Sequence, residues 1–240
     1  MPVERFYLQT PLEKDSLICF EKEELHHLAH VLRMKPKDKL EVINGEGFLA
    51  NAYLQTLEKN KAICKIESVC YTPPPSYTLI LAQAIPRQPK LEIIVEKSVE
   101  LGITELWLFP GQRSEKDSFS PSGTQRIFHI VQSAVKQCGR LYIPKVRFLP
   151  PLIKWKESLP LCSVFGDIRQ GAPSFLSHLS KNPPPSLLIA IGPEKGFDPK
   201  EVSFMEQTLS MQGVHLHHNI LRTETAALCS LSIASCFIKN

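Results

Sequence analysis

Leu187-Leu188-Ile189-Ala190-Ile191-Gly192-Pro193-Glu194-Lys195-Gly196-Phe197 is the stretch from which the fold is read. Its first five residues are all apolar, as a strand buried on both faces requires. The run stops at Gly192-Pro193, which continues neither a central strand nor a helix. Glycines at 192 and 196 let main chain approach a ligand and expose its N–H groups. In open α/β sheets ligands sit at the carboxyl ends of strands. The segment is therefore a fold signal and a candidate binding loop; its other reading is a plain strand-to-helix turn. Immediately after it, Asp198-Pro199-Lys200-Glu201 opens a helix with an N-cap, a proline at N1 and an acid at N3.

Outward from this point, strand and helix patterns alternate. Upstream, Thr78 to Ile85 reads as a buried strand, and residues 89–101 as a helix closed by Gly102 at C′. Glu105 to Phe109 is the next strand, and residues 126–138 the clearest amphipathic helix. A strand follows at Leu161–Phe165. Downstream, a short strand near Val214–Leu216 leads to a terminal helix from Thr223. Alternation of this kind predicts an α/β domain with a mostly parallel sheet and helices on both faces.

The prolines at 73–75 mark an extended linker. A second run, Asn182 to Ser186, is read as a loop inside the α/β domain. Before the linker the strands are short: Lys39–Ile43, Phe48–Leu57 and Ala62–Cys70, with a turn at Asn44-Gly45 and one helix at Glu23–Met34. Residues 1–72 are thus expected to form a small barrel and residues 76–240 the α/β domain.

The chain has 240 residues, 43% hydrophobic and 22% charged, which suits two globular domains. Net charge is +4, and the excess lies after residue 72. No acid occurs between Asp117 and Glu157, a stretch holding Arg126, Lys136, Arg140, Lys145, Arg147, Lys154 and Lys156. It reads either as a phosphate-attracting face or as a solvated basic surface. Seven cysteines without a C-x-x-C pair point to a reduced, cytoplasmic setting. No apolar run reaches the length of a membrane span.

Gly45-Glu46-Gly47 fits part of a dinucleotide fingerprint, but β alternation follows it, so it reads as a hairpin turn. His26 and His30 lack the Glu and third ligand of a zinc site, so no metal is expected. No G-x-S-x-G elbow or P-loop is present. Ile220-Leu221-Arg222-Thr223-Glu224-Thr225-Ala226 reads by itself as a capped helix start.

In order along the chain, these segments resemble the bacterial small-subunit rRNA uridine-N3 methyltransferases, a SPOUT family. The match runs through Arg5-Phe6-Tyr7, His27-Leu28 to Arg33, Asn44-Gly45-x-Gly47, Glu96-Lys97 to Gly102, Arg113-Ser114-Glu115, Gln137-x-x-Arg140, Gly192-Pro193-Glu194 and Ile220 to Ala226. The resemblance implies a PUA/OB-like barrel, then a SPOUT domain with a C-terminal trefoil knot, acting as a homodimer on 16S rRNA or the small ribosomal subunit. It implies S-adenosyl-L-methionine as cofactor, held by Phe165, Gly166, Ile191, Gly192, Pro193, Glu194, Gly196, Leu216, Ile220, Leu221, Arg222, Thr223 and Thr225. Arg5, Arg33, Lys97, Arg113, Lys116 and Arg140 are the implied RNA contacts. Arg140 or Arg222 would stabilise a uracil anion, and Glu194 or Glu224 would accept its proton or order the loop.

The chain departs from the family pattern twice. Lys195 replaces the fourth residue of Gly-Pro-Glu-Gly-Gly, and Leu216-His217-His218-Asn219 replaces Leu-Gly-x-Arg. A β-carbon at His217 is expected to crowd the cofactor or strain a positive-φ turn. A tRNA-directed relative, a non-catalytic assembly factor and, remotely, a nicotinamide oxidoreductase are the rival readings.

Overall fold

The structure is a computed structural model that describes residues 4–115, 118–181 and 184–237. It divides into two compact units: residues 1–74 with 135–143, and residues 75–134 with 144–240.

In the first unit a five-stranded sheet has the order β1-β3-β4-β5-β2, formed by β1 (Arg5–Tyr7), β2 (Leu17–Phe20), β3 (Lys39–Ile43), β4 (Phe48–Leu57) and β5 (Ala62–Tyr71). All pairings are antiparallel except that of β1 with β3. Two register shifts in the β4–β5 pair curl the sheet around Phe6, Phe20, Leu28, Leu40, Leu54 and Ile66. The helix expected over 23–34 is instead α1 (Lys22–His26) followed by a π turn at His27–Val31. That turn lets Leu28 reach the core while Val31 faces solvent. The Gly45/Gly47 reading as a turn holds: both have positive φ, and Gly47 N–H donates to the Leu141 carbonyl at 3.0 Å.

The second unit is a six-stranded, wholly parallel sheet in the order β11-β9-β10-β6-β7-β8. Its strands are β6 (Thr78–Ala84), β7 (Glu105–Phe109), β8 (Lys145–Phe148), β9 (Cys162–Gly166), β10 (Ser186–Ile191) and β11 (Gln212–Val214). Helices α2 (Gln88–Glu100), α3 (Pro121–Cys138), α4 (Phe175–Lys181), α5 (Pro199–Gln207) and α6 (Thr223–Ser235) connect or follow the strands. Residues 187–191 are all buried, each aliphatic side chain larger than alanine contributing roughly 1.5–3 kcal/mol.

Gly102 closes α2 with φ +90°, and α5 carries the full capping box. Glu201 there is fully buried; Oε2 accepts from Asp198 N–H at 2.9 Å and Oε1 from Gln112 N–H at 3.0 Å. One acid thus caps α5 and ties down the loop after β7. Helix α3 starts five residues earlier than expected, because Ser120 caps it and Pro121 occupies its first position.

The acid-free basic stretch is largely neutralised by acids distant in sequence. Arg126 is bidentate to Glu92, Lys136 meets Glu24, Lys145 meets Glu105 and Arg147 meets Glu157. Lys154 and Lys156 form no ion pair among the described residues. The exposed basic face read from the sequence is therefore smaller than its residue list.

Candidate active site

Three strand ends build one cavity of about 670 Å³ in the second unit. After β9 come Gly166 to Arg169; after β10, Gly192 to Phe197; after β11, His215 to Leu221. Parallel neighbours place all three carboxyl ends on the same side of the sheet, so the loops must converge there.

Of the sequence-derived cofactor set, Phe165, Gly166, Ile191, Gly192, Pro193, Glu194, Gly196, Leu216, Ile220, Leu221 and Thr223 line this cavity. Arg222 and Thr225 do not; both are exposed at the start of α6. Thr223 explains how α6 and the β10 loop meet. Its Oγ1 donates to the Gly192 carbonyl at 2.6 Å and accepts from Gln83 Nε2 at 3.1 Å. Gln83 lies fully buried on β6, and its Oε1 has no hydrogen-bond partner among the described residues.

The two candidate acids share one cation that the sequence reading missed. Lys90 Nζ lies 3.7 Å from Glu194 Oε1 and 3.5 Å from Glu224 Oε2. Glu194 Oε1 also accepts from Arg87 N–H at 3.1 Å. Glu194 lines the cavity and Glu224 does not. Arg140 lies in the first unit and does not line the cavity either.

The expected strain is absent. Gly196 takes the positive φ of the β10 loop, at +69°, while Lys195 and His217 both have negative φ. The Lys195 side chain therefore needs no special backbone. The His217 and His218 rings pack against each other, tilted by 34° with centroids 4.0 Å apart, and Asn219 N–H donates to His217 Nδ1 at 3.1 Å. These rings form part of the cavity wall where the pattern has glycine.

Sequence reasoning also missed Asp167, Arg169 and Glu206. Arg169 donates to both Asp167 oxygens through Nε and to Oδ2 through Nη2 at 2.6 Å, and it also binds Glu206 Oε1. Burial pulls the Asp167 carboxyl up, but the combined hydrogen bonds and charge of Arg169 outweigh it and hold the group below the usual aspartate range. Such a trio carries no local motif, since Glu206 lies 37 residues from Arg169.

The expected RNA contacts fall in both units: Arg5, Arg33 and Arg140 in the first, Lys97 and Arg113 in the second. Arg5 is bound to Glu41, and Lys97 to Glu96 and Glu100. Arg113 lines the cavity and reaches Asp198 at 3.5 Å and the Lys195 carbonyl at 3.3 Å. Arg33 is exposed, with φ +54°. Lys116 lies outside the described residues. No group of three or more metal-ligating side chains occurs among the described residues, and no described helix is long and apolar enough to cross a membrane.

Comparison with known proteins gives a consistent result. Residues 73–235 match the model of an RNA methyltransferase domain, and residues 20–67 that of an RNA methyltransferase PUA domain. The ribosomal RNA small subunit methyltransferase E of Bacillus subtilis is 30% identical, over 97% of this chain and 96% of that protein. A Legionella pneumophila methyltransferase solved with its bound cofactor SAM is 25% identical, covers 98% of each chain and superposes with TM-score 0.90. The ribosomal RNA small subunit methyltransferase E of Neisseria gonorrhoeae, solved with S-adenosyl methionine, is 26% identical. It covers 96% of this chain and 95% of that one, with TM-score 0.82.

Proposed function

This chain belongs to the RNA methyltransferase family, and on that premise we propose that it methylates N3 of a uridine in 16S rRNA, using S-adenosyl-L-methionine. The observation that carries the reading is the single cavity built from three successive strand ends. Its volume lies within the range of small-ligand sites, and Phe197, Leu216 and Leu221 give it apolar walls suited to adenine. Gly192 is needed for the wall's shape: a Cβ there would meet Phe197 N at 3.1 Å and Gly196 C at 3.3 Å.

When bound, S-adenosylmethionine supplies an activated methyl group. The protein must align the reacting base and exclude water. Uracil N3 carries a proton that must leave, and the base gains negative charge as it does. Glu194 lies on the cavity wall and is assigned as the acceptor of that proton. Lys90, itself paired with Glu224, and the Arg87 N–H hold it in place. Arg222, exposed at the N-cap of α6, is assigned to stabilise the uracil anion. Arg140 is left with RNA contact, together with Arg5, Arg33, Lys97, Arg113 and Lys116. The base itself must leave its stack to reach the cavity.

The same reading includes a trefoil knot at the three loops, and a homodimer. Half-buried Leu228 and Ile233 leave apolar surface on α6 for a second copy. It also places the protein in the cytoplasm with the ribosomal subunits. The test is to incubate the purified protein with S-adenosylmethionine and unmodified small subunits, then digest the rRNA and separate nucleosides by mass spectrometry. The expected product is 3-methyluridine. Methylation of another base, of ribose, or of tRNA alone overturns the assignment.

A further inference from the structure

The cavity carries a charged cluster that the proposed methyl transfer does not use. Asp167 and Arg169 follow β9, and Glu206 comes from α5. Arg169 is half exposed, yet its guanidinium is held through Nε and Nη2 by two carboxylates, and its Cζ sits 6.0 Å from the Phe165 ring centroid. Its own N–H also donates to Asp167 Oδ1 at 2.9 Å. The position of the guanidinium is therefore fixed before a ligand arrives, which removes ordering cost from binding.

Two polar edges of the cluster remain open. Arg169 Nη1 donates to no described residue, and Glu206 Oε2 accepts from none. They belong to the same two groups that are bonded through Nη2 and Oε1, so a donor edge and an acceptor edge sit together. The cluster holds two carboxylates against one guanidinium, a formal excess of negative charge. Elsewhere on the wall, Arg113 is paired with Asp198 and the Lys195 carbonyl, and Glu194 with Lys90 and the Arg87 N–H, while the Lys195 side chain adds one more cation to the lining.

We propose that Arg169 and Glu206 form a subsite for the zwitterionic amino-acid end of the cofactor. Arg169 Nη1 donates to the α-carboxylate, Glu206 Oε2 accepts from the α-ammonium, and Asp167 keeps the guanidinium in place. The assignment rests on the cavity being the S-adenosylmethionine site. Adenine and ribose are neutral, so this end is where paired charges of opposite sign are needed.

Isothermal titration with three ligands tests this: S-adenosylmethionine, S-adenosylhomocysteine, and 5′-methylthioadenosine, which lacks the amino-acid end. Arg169→Ala is expected to weaken the first two by about tenfold or more, as loss of a charge-assisted hydrogen bond does, and the third by less than about twofold. Arg169→Lys keeps the charge without the fork and is expected to fall between. Retained binding of 5′-methylthioadenosine also shows that the variant is folded. Equal weakening of all three ligands, or of none, overturns the subsite. If the wild-type protein binds none of them, the cavity reading itself fails, and the subsite with it.

Discussion

Replacing Thr223 by Val tests how the cavity is held together. The change keeps the side chain's shape and removes its hydroxyl. Thr223 is 5% exposed, so water does not readily take the hydroxyl's place. The Gly192 carbonyl loses its 2.6 Å hydrogen bond and keeps only the 3.4 Å approach of Gln83 Nε2. Gln83 Nε2 loses its 3.1 Å acceptor, while Gln83 Oε1 already lacks a partner. Leaving buried polar groups short of partners costs about 1–3 kcal/mol. For a protein of this size about 1 kcal/mol moves Tm by about 2–4 °C, so Tm should fall by about 2–12 °C. Because Gly192 lines the cavity, cofactor affinity should fall as well. Gln83→Met removes the partner, so the double variant should be less destabilised than the sum of the singles by about 0.5 kcal/mol or more. Thermal melts followed by circular dichroism, with cofactor titration, measure both effects. A Thr223→Val protein that melts and binds like wild type, with strictly additive doubles, would refute this account of the α6–β10 junction.

Other outcomes follow from single residues. Gly47→Ala should destabilise the first unit by more than about 2 kcal/mol, since φ is +93° and the new Cβ would lie 2.2 Å from Tyr142 Oη and 2.4 Å from the Thr72 carbonyl. Urea denaturation measures it, and an unchanged midpoint contradicts the geometry. Burial pushes the Cys64 thiol up to about 12, with a smaller contribution from Cys19, so Cys64 should resist alkylation in the native protein while exposed Cys19, Cys70 and Cys236 react. Peptide mass spectrometry after native and denatured labelling checks this. Asp167 has its folded pKa lowered, so its stabilisation is present above the ordinary aspartate range and is lost as pH falls through the folded value. The Tm difference between wild type and Asp167→Asn should therefore be full above about pH 5 and shrink in more acidic buffer; a difference that grows toward acid reverses the sign and sinks the argument.

The fold was legible where the sequence pattern is local. Strand β10 is a nearly continuous apolar run, β6 is one interrupted by Gln83, and α5 announces itself through Asp198, Pro199 and Glu201. Strand β8 escaped because Lys145-Val146-Arg147-Phe148 is a half-polar edge strand of four residues, and β1 has only three. The π turn at His27–Val31 escaped because its apolar stripe fits an α-helix equally well. The glycine-bearing loop after β10 could be read from its residues, whereas the loops after β9 and β11 entered only through the family resemblance. Lys90 and the Asp167–Arg169–Glu206 cluster could not, since their partners are assembled by the parallel crossovers. Pairing across the fold likewise hid how many basic residues of the acid-free stretch are neutralised: Lys136 and Glu24 are 112 residues apart.

The central claim is that the loops after β9, β10 and β11 hold the methyl donor despite Lys195, His217 and Asn219. Titrating the purified protein with S-adenosylmethionine tests it most directly, with S-adenosylhomocysteine as second ligand. The account expects saturable heat with a single site per chain and a higher Tm with either ligand. No heat and no thermal stabilisation at millimolar ligand would contradict it, and would leave a cavity that has the family's shape without its cofactor.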